Sequence, residues 1–241
     1  MPPNVSGTDA LPALVALVAG TVDAIAGGGG LLTVPALLAS GLPPHLALAT
    51  NKGQSVFGAA AALARFSHGG MVPFRRARWT APLGFLGALV GARLVLAVRP
   101  EVLRPLVLAL LVAAAVLVLL RPRVAGGRAA SAAVARAAAL AFAVGVYDGF
   151  FGPGTGTLLI VSLAGLLSLP LQQASAEAKA INFASNLAAA LLFATQGAVV
   201  WHTALSMAAG QLVGGWLGAH LTVRGGDRIV RWVVLCVVAA L

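Results

Sequence analysis

Charge is what this chain has least of. Acidic and basic side chains make up 9% of its 241 residues, against 60% hydrophobic, where a soluble domain carries about 25% charged residues. So small a polar complement cannot cover a water-soluble globule, which excludes that class and leaves an all-α polytopic membrane protein. Cysteine is nearly missing too. Cys236 stands alone, which excludes an internal disulfide and a multi-cysteine metal centre; it sits in an apolar run, packed or facing lipid. The four histidines, His45, His68, His202 and His220, show no ligand spacing, so no metal or other cofactor is expected. The first nine residues lack a basic n-region, so no cleaved signal peptide is expected and the first apolar segment should remain. The formal net charge of +10 has no soluble basic face to carry it. Nucleic acid is therefore excluded as a partner, and positive loops on the cytoplasmic side of a membrane account for the charge.

What is present is a series of apolar segments. In the first half they cover residues 10–26, 31–40, 46–66, 80–98 and 102–120. In the second they cover 132–151, 157–169, 172–195, 202–223 and 229–241. A spanning helix needs about 20 residues. The segments starting at Leu31 and Thr157 are shorter, follow glycine-rich runs and close at or near a proline. They read as broken or re-entrant helices, within some 8–10 membrane segments in all. The last segment is short as well, so it is tilted, peripheral or incomplete.

The two halves repeat one another. The first, residues 10–120, holds G-T-V-D-A-I-A-G-G-G-G-L-L-T-V-P at 20–35; the second, residues 132–241, holds G-V-Y-D-G-F-F-G-P-G-T-G-T-L-L-I-V at 145–161. A basic linker, 121–131, joins them. Asp23 matches Asp148, and Gly27 matches Gly152, at an offset of 125 residues. An insertion near Pro153 raises the offset to 127, which pairs Lys52 with Lys179, Gly70 with Gly197, Gly87 with Gly214 and Gly91 with Gly218. Arginine placement gives the sense of the repeat. Arg75, Arg76 and Arg78 crowd one loop, Arg121, Arg123 and Arg128 the linker, and Arg224, Arg228 and Arg231 a third. Putting all three in the cytoplasm makes the repeats inverted, with Arg99 and Arg104 standing against that arrangement.

Lys52 and Lys179 are the only lysines, and both fall in apolar surroundings. A charge inside a membrane segment costs about 2.5–3.5 kcal/mol on insertion scales and marks function by default. The competing reading is a lysine that snorkels to the interface or pairs with a carboxylate. Their polar company favours a lined cavity: Thr50, Asn51, Gln54 and Ser55 in one half, Ser175, Asn182, Ser185 and Asn186 in the other. Lys179, Asn182 and Asn186 share one helical face. The glycines of the two runs (Gly27, Gly28, Gly29 and Gly30; Gly152, Gly154 and Gly156) free backbone N–H groups to line an anion site at a helix start. The plainer alternative is that they permit a tight turn. Asp23 and Asp148 stand just before these runs and read as caps for the freed N–H groups, with proton carriage as the other role. Glu177 has no acidic counterpart and reads equally as a coupling carboxylate or as the partner of another charge. Gly87 and Gly91, with Gly210, Gly214 and Gly218, form small-residue faces for helix contact.

These segments resemble the TauE/SafE family of sulfite exporters. The resemblance rests on G-x-x-D-A-I-A-G-G-G-G at 20–30, A-T-N-K-x-Q-S at 49–55, G-x-x-D-G-F-F-G-P-G-T-G at 145–156 and K-x-I-N-F-x-S-N at 179–186, and extends from residue 11 to about 221. It implies a multi-pass protein of the cytoplasmic (inner) membrane that exports a small sulfur-containing anion such as sulfite or an organosulfonate. The expected partners are that anion and the lipid bilayer, with a homo-oligomer left open. The expectation is therefore a secondary transporter, not an enzyme. Its alternatives are a passive anion channel and an intramembrane enzyme built on Asp23 and Asp148. Lys52, Lys179, Asn51, Gln54, Asn182 and Asn186 would hold the anion between the glycine runs, with Asp23, Asp148 and Glu177 coupling or capping.

Overall fold

The computed structural model describes residues 10–120 and 130–240. Most of the basic linker, including Arg121, Arg123 and Arg128, lies outside the described residues, as do the first nine residues and the side chain of Cys236. Among the described residues the chain forms nine helices and no strand: α1 (Ala10–Ala26), α2 (Gly30–Ala39), α3 (Pro44–His68), α4 (Phe74–Ala97), α5 (Pro100–Leu120), α6 (Ala130–Phe150), α7 (Thr155–Leu167), α8 (Leu171–Thr195) and α9 (Trp201–Ala240). The all-α expectation holds.

The segments at 202–223 and 229–240, read as separate, are two helices that meet at a kink within α9. The path breaks at Gly226, whose φ of 60° and ψ of −156° lie in a region open in practice to glycine alone. The short segments after the glycine runs are short helices, of 10 residues for α2 and 13 for α7. Proline sets the start of α3 and α8: Pro43 and Pro170 stand at their N-caps with the same φ of −54°, where the missing N–H costs nothing.

Glycine spacing places the helices. A Cβ on Gly87 would lie 2.2 Å from the carbonyl oxygen of Phe142, and one on Gly91 2.0 Å from that of Val146. So α4 lies against α6 backbone to backbone, both running in the same direction. The contact of α9 with α1 is built alike: Gly214 meets the Leu17 carbonyl at 2.2 Å and Gly218 that of Thr21 at 2.3 Å, again as Cβ distances. These are the small-residue faces that the spacing calls for. α3 also runs with α9, because Gly53 faces Val199, Gly58 faces Gln211 and Gly69 faces Val223 in turn. α8 runs with α4, as Glu177 meets Arg76 and Ile181 meets Gly84. One set of helices, α1, α3 and α9, therefore shares a direction, and α4, α6 and α8 form another.

Leu86, Val90 and Leu94 on α4, and Leu205, Leu212 and Leu217 on α9, are large apolar side chains left exposed. An outer surface of this kind suits lipid and not water. By length and composition α4 and α8 each suffice to cross a membrane.

Candidate functional site

The site begins where α1 and α6 stop. α1 ends because Gly27 takes φ +79°, a left-handed conformation that costs glycine little and other residues about 1–2 kcal/mol. The Gly29 N–H then donates to Asp23 Oδ1 at 3.2 Å. At the end of α6 the Tyr147 hydroxyl donates to the Pro153 carbonyl at 2.7 Å, and the Thr155 hydroxyl to that of Gly152 at 2.6 Å. The two breaks touch. The Thr157 N–H donates to the Gly27 carbonyl at 3.2 Å and its hydroxyl to that of Ala26 at 2.7 Å. A Cβ on Gly27 would lie 2.1 Å from the Gly156 carbonyl carbon, and one on Gly30 3.0 Å from Pro153. An anion between the glycine runs, as the sequence suggested, would meet this backbone contact. The polar groups gather beside it instead.

Each lysine is paired with the aspartate of the other half. Lys52 Nζ on α3 donates to Asp148 Oδ1 on α6 at 2.7 Å and to Asn186 Oδ1 on α8 at 3.0 Å. The second Asp148 oxygen accepts from the Ser185 hydroxyl. Lys179 Nζ on α8 donates to Asp23 Oδ2 on α1 at 2.5 Å. Side-chain exposure separates the pairs: Lys52 and Asp148 are 2% exposed each, whereas Lys179 is 1% and Asp23 23% exposed. The first pair is buried at both ends, and the second is partly exposed at its carboxylate.

Amide side chains line the same region. Asn51 Oδ1 accepts from the Thr33 hydroxyl at 2.5 Å and from Gln54 Nε2 at 3.0 Å. Gln54 Oε1 is buried with no partner among the described residues. Asn51 and Asn186 thus use their amide oxygens, while none of the hydrogen bonds among the described residues uses their Nδ2 groups or the amide of Asn182. All three are buried, at 3–5% exposure. Their nitrogens are not among the buried atoms left without a partner, which among the described residues are Gln54 Oε1 and His45 Nδ1.

Of the residues singled out in the sequence, Lys52, Asn186 and Asp148 are brought into one cluster, as are Lys179 and Asp23. Asn51 and Gln54 form a third with Thr33. Glu177 goes elsewhere. It is fully buried and held in a fork by Arg76 of α4, at 3.1 Å from Nε to each oxygen and 2.8 Å from Nη2. Its repeat counterpart Thr50 accepts a neutral bond from the Val200 N–H at 3.1 Å. Asp23 caps the glycine loop and also binds Lys179; Asp148 binds Lys52 and Ser185. Thr33 and Arg76 as partners went unread in the sequence. The one available signal for Arg76 was an unmatched acid facing an arginine-rich loop of the other half.

The Arg76–Glu177 fork makes an asymmetric prediction. Arg76→Ala leaves a buried carboxylate unpaired and should destabilise the protein toward the lower end of about 3–5 kcal/mol, since Arg76 is 29% exposed. Glu177→Gln leaves an arginine able to reach water and should cost less. Thermal unfolding in detergent ranks the two, and equal losses would mean that the fork contributes no charge pairing.

The class of protein, a membrane transporter, comes from comparison with known proteins. The sulfite exporter TauE/SafE family matches residues 12–241, and the chain belongs to that family. It is similar to the "Probable membrane transporter protein YfcA" of Escherichia coli strain K12, 36% identical over 94% of this chain and 85% of that protein. A "Probable membrane transporter protein" of Haemophilus influenzae is also 36% identical, over 95% of this chain and 91% of that protein. "Probable membrane transporter protein ORF9" of Sinorhizobium sp is 34% identical, over 95% and 88%. No solved structure matches.

Proposed function

We propose that the protein is a secondary carrier of a small sulfur-containing anion, sulfite or an organosulfonate, and exports it when it accumulates inside. The observation that carries this reading is the reciprocal placement of Lys52 beside Asp148 and Lys179 beside Asp23, with the amides of Asn51, Asn182 and Asn186 buried alongside. The sulfur-containing substrate rests on the family's printed description.

Helix directions support an inverted repeat with re-entrant α2 and α7. α1 and α3 both run with α9, so α2 between them must turn back; α6 and α8 both run with α4, so α7 must do the same. The counterparts α1 and α6 then point in opposite senses. This topology puts the α3–α4 connection, the start of α6 and the Gly226 bend at one end, which carries Arg75, Arg76, Arg78, Arg224, Arg228 and Arg231. That end faces the cytoplasm by the loop-charge rule, in a multi-pass protein of the inner membrane. Alternating access would rock one half against the other.

Backbone contact between Gly27 and Gly156 closes the centre, which favours a carrier over an open channel. Asp23 and Asp148 bind different lysines, so they do not form an aspartyl pair, and the reading includes no catalytic activity. Radiolabelled sulfite flux into proteoliposomes, with a small panel of organosulfonates, tests the proposal against a Lys52→Ala/Lys179→Ala control. Saturable flux confined to the unmutated protein is expected; flux that rises linearly and persists in the control would sink it.

A further inference from the structure

We infer that each transported anion moves together with a proton, taken up by the aspartate that the anion displaces. This deepens the carrier reading above and rests on it. As built, each site is neutral: Lys52 with Asp148, Lys179 with Asp23. An anion entering such a site would add an uncompensated buried charge, which the interior does not tolerate. The ammonium can serve the anion only if the carboxylate gives up its charge. A proton from the open side binds the aspartate oxygen, the Lys–Asp ion pair separates, and the lysine N–H groups bond the anion's oxygens. No covalent bond other than that O–H forms, and the lysine keeps its own proton. The loaded site is again neutral, holding lysine cation, anion and carboxylic acid. On release the proton leaves the carboxyl and the ion pair re-forms.

The aspartates are the acidic groups of the two pairs; on the packed helices α3 and α9 stand His45, its Nδ1 buried without a partner among the described residues, and His220, which accepts from Arg65 at 3.1 Å. α7, packed against α6, and α2, packed against α1, contain no titratable residue. The face of α4 on α6 is Gly84, Gly87, Ala88 and Gly91, and that of α9 on α1 is Gly210, Gly214 and Gly218. On α8, Glu177 is held by Arg76 and Lys179 by Asp23 itself. The hydrogen-bond partners beside the pairs are neutral: Ser185 at Asp148 and Asn186 at Lys52, with Tyr147 bonded away to Pro153, and the Gly29 N–H at Asp23.

The difference in exposure fits one step of a cycle. Asp23 is 23% exposed while Asp148 is 2% exposed, so the two proton sites differ in access. A monoanion carried this way moves no net charge. Its flux then follows the product of the anion and proton gradients and is indifferent to membrane potential, so export needs a steep outward anion gradient.

Proteoliposome flux of methanesulfonate and thiosulfate tests this, because both stay fully ionised near neutral pH and any proton that moves is bound by the protein. For methanesulfonate, an inside-alkaline gradient of one pH unit should drive about tenfold accumulation at one proton per anion, and a valinomycin-imposed potential should drive none. Asp23→Asn/Asp148→Asn should abolish any response of flux to the pH gradient. The wild-type comparison of pH gradient against potential stands even if that variant folds poorly. Saturable flux that follows the potential and ignores the pH gradient overturns the inference while leaving the carrier. No saturable flux of either anion, or of the sulfite in the first test, overturns the carrier reading itself and this inference with it.

Discussion

Lys52→Ala should abolish anion flux and also reduce the amount of folded protein, whereas Lys179→Ala should abolish flux and leave membrane abundance close to wild type. The loss of flux has the same origin in both. A charged hydrogen bond to the anion is worth up to about 3 kcal/mol, so its removal should slow transport by about a hundredfold or more. The difference in abundance comes from what each substitution leaves behind. Without Lys52 the Asp148 carboxylate, 2% exposed, keeps the Ser185 hydroxyl as its one partner among the described residues. An ion so abandoned in the interior costs about 3–5 kcal/mol, a large share of a typical stability of about 5–15 kcal/mol. Without Lys179, Asp23 is 23% exposed and still accepts the Gly29 N–H, so the penalty is smaller. Lys52→Ala/Asp148→Asn should therefore recover abundance without recovering flux. Detergent extraction with size-exclusion detection measures the first quantity and proteoliposome flux the second. Equal abundance of the two single variants would refute the exposure argument, and flux surviving in the double variant would remove Lys52 from the site.

Gly27→Ala should be the most damaging single methyl group in the loop region. It combines two faults. The backbone at φ +79° costs a residue with a Cβ about 1–2 kcal/mol. The new carbon would also stand 2.1 Å from the Gly156 carbonyl carbon and 2.3 Å from the Thr157 nitrogen. No flexible side chain can move aside there, so the two breaks must separate. The Thr157–Gly27 hydrogen bond is then lost, and overpacking adds about 1–3 kcal/mol. Gly41→Ala is the matched control. Its φ is +89°, yet nothing lies within 4 Å of its Cβ position, so only the conformational cost applies. A large drop in detergent melting temperature for Gly27→Ala and a small one for Gly41→Ala are expected. Similar drops would show that the loops do not depend on touching.

Several features were legible because they depend on local chemistry. The helix boundaries follow from apolar length and from proline and glycine punctuation. The contact faces of α4 and α9 follow from glycines one turn apart, since a helix brings residues i and i+4 to one side. The lysines were legible as site residues because any cation in so apolar a stretch stands out. The partners were not. Lys52 and Asp148 are 96 residues apart and Lys179 and Asp23 156 apart; within each half the lysine and aspartate look like a local pair, and nothing in one strand of text says that they exchange. Glu177 shows the same limit. Two residues from Lys179, it does not face that lysine, and the sequence left its partner open; the carboxylate turned to Arg76.

The sequence alone determined the class of protein, the positions of its helices and the breaks in α1 and α6, because hydropathy and backbone freedom are properties of short segments. It also determined which residue types would be buried as ions. Tertiary packing decided how those ions were neutralised. It brought the two glycine breaks into contact, crossed the lysine–aspartate pairs between the halves, and left one pair partly exposed and the other buried. Those outcomes depend on the relative direction of helices far apart in the chain. That direction is set by which backbones can approach closely enough to touch, and a one-dimensional pattern carries no record of it.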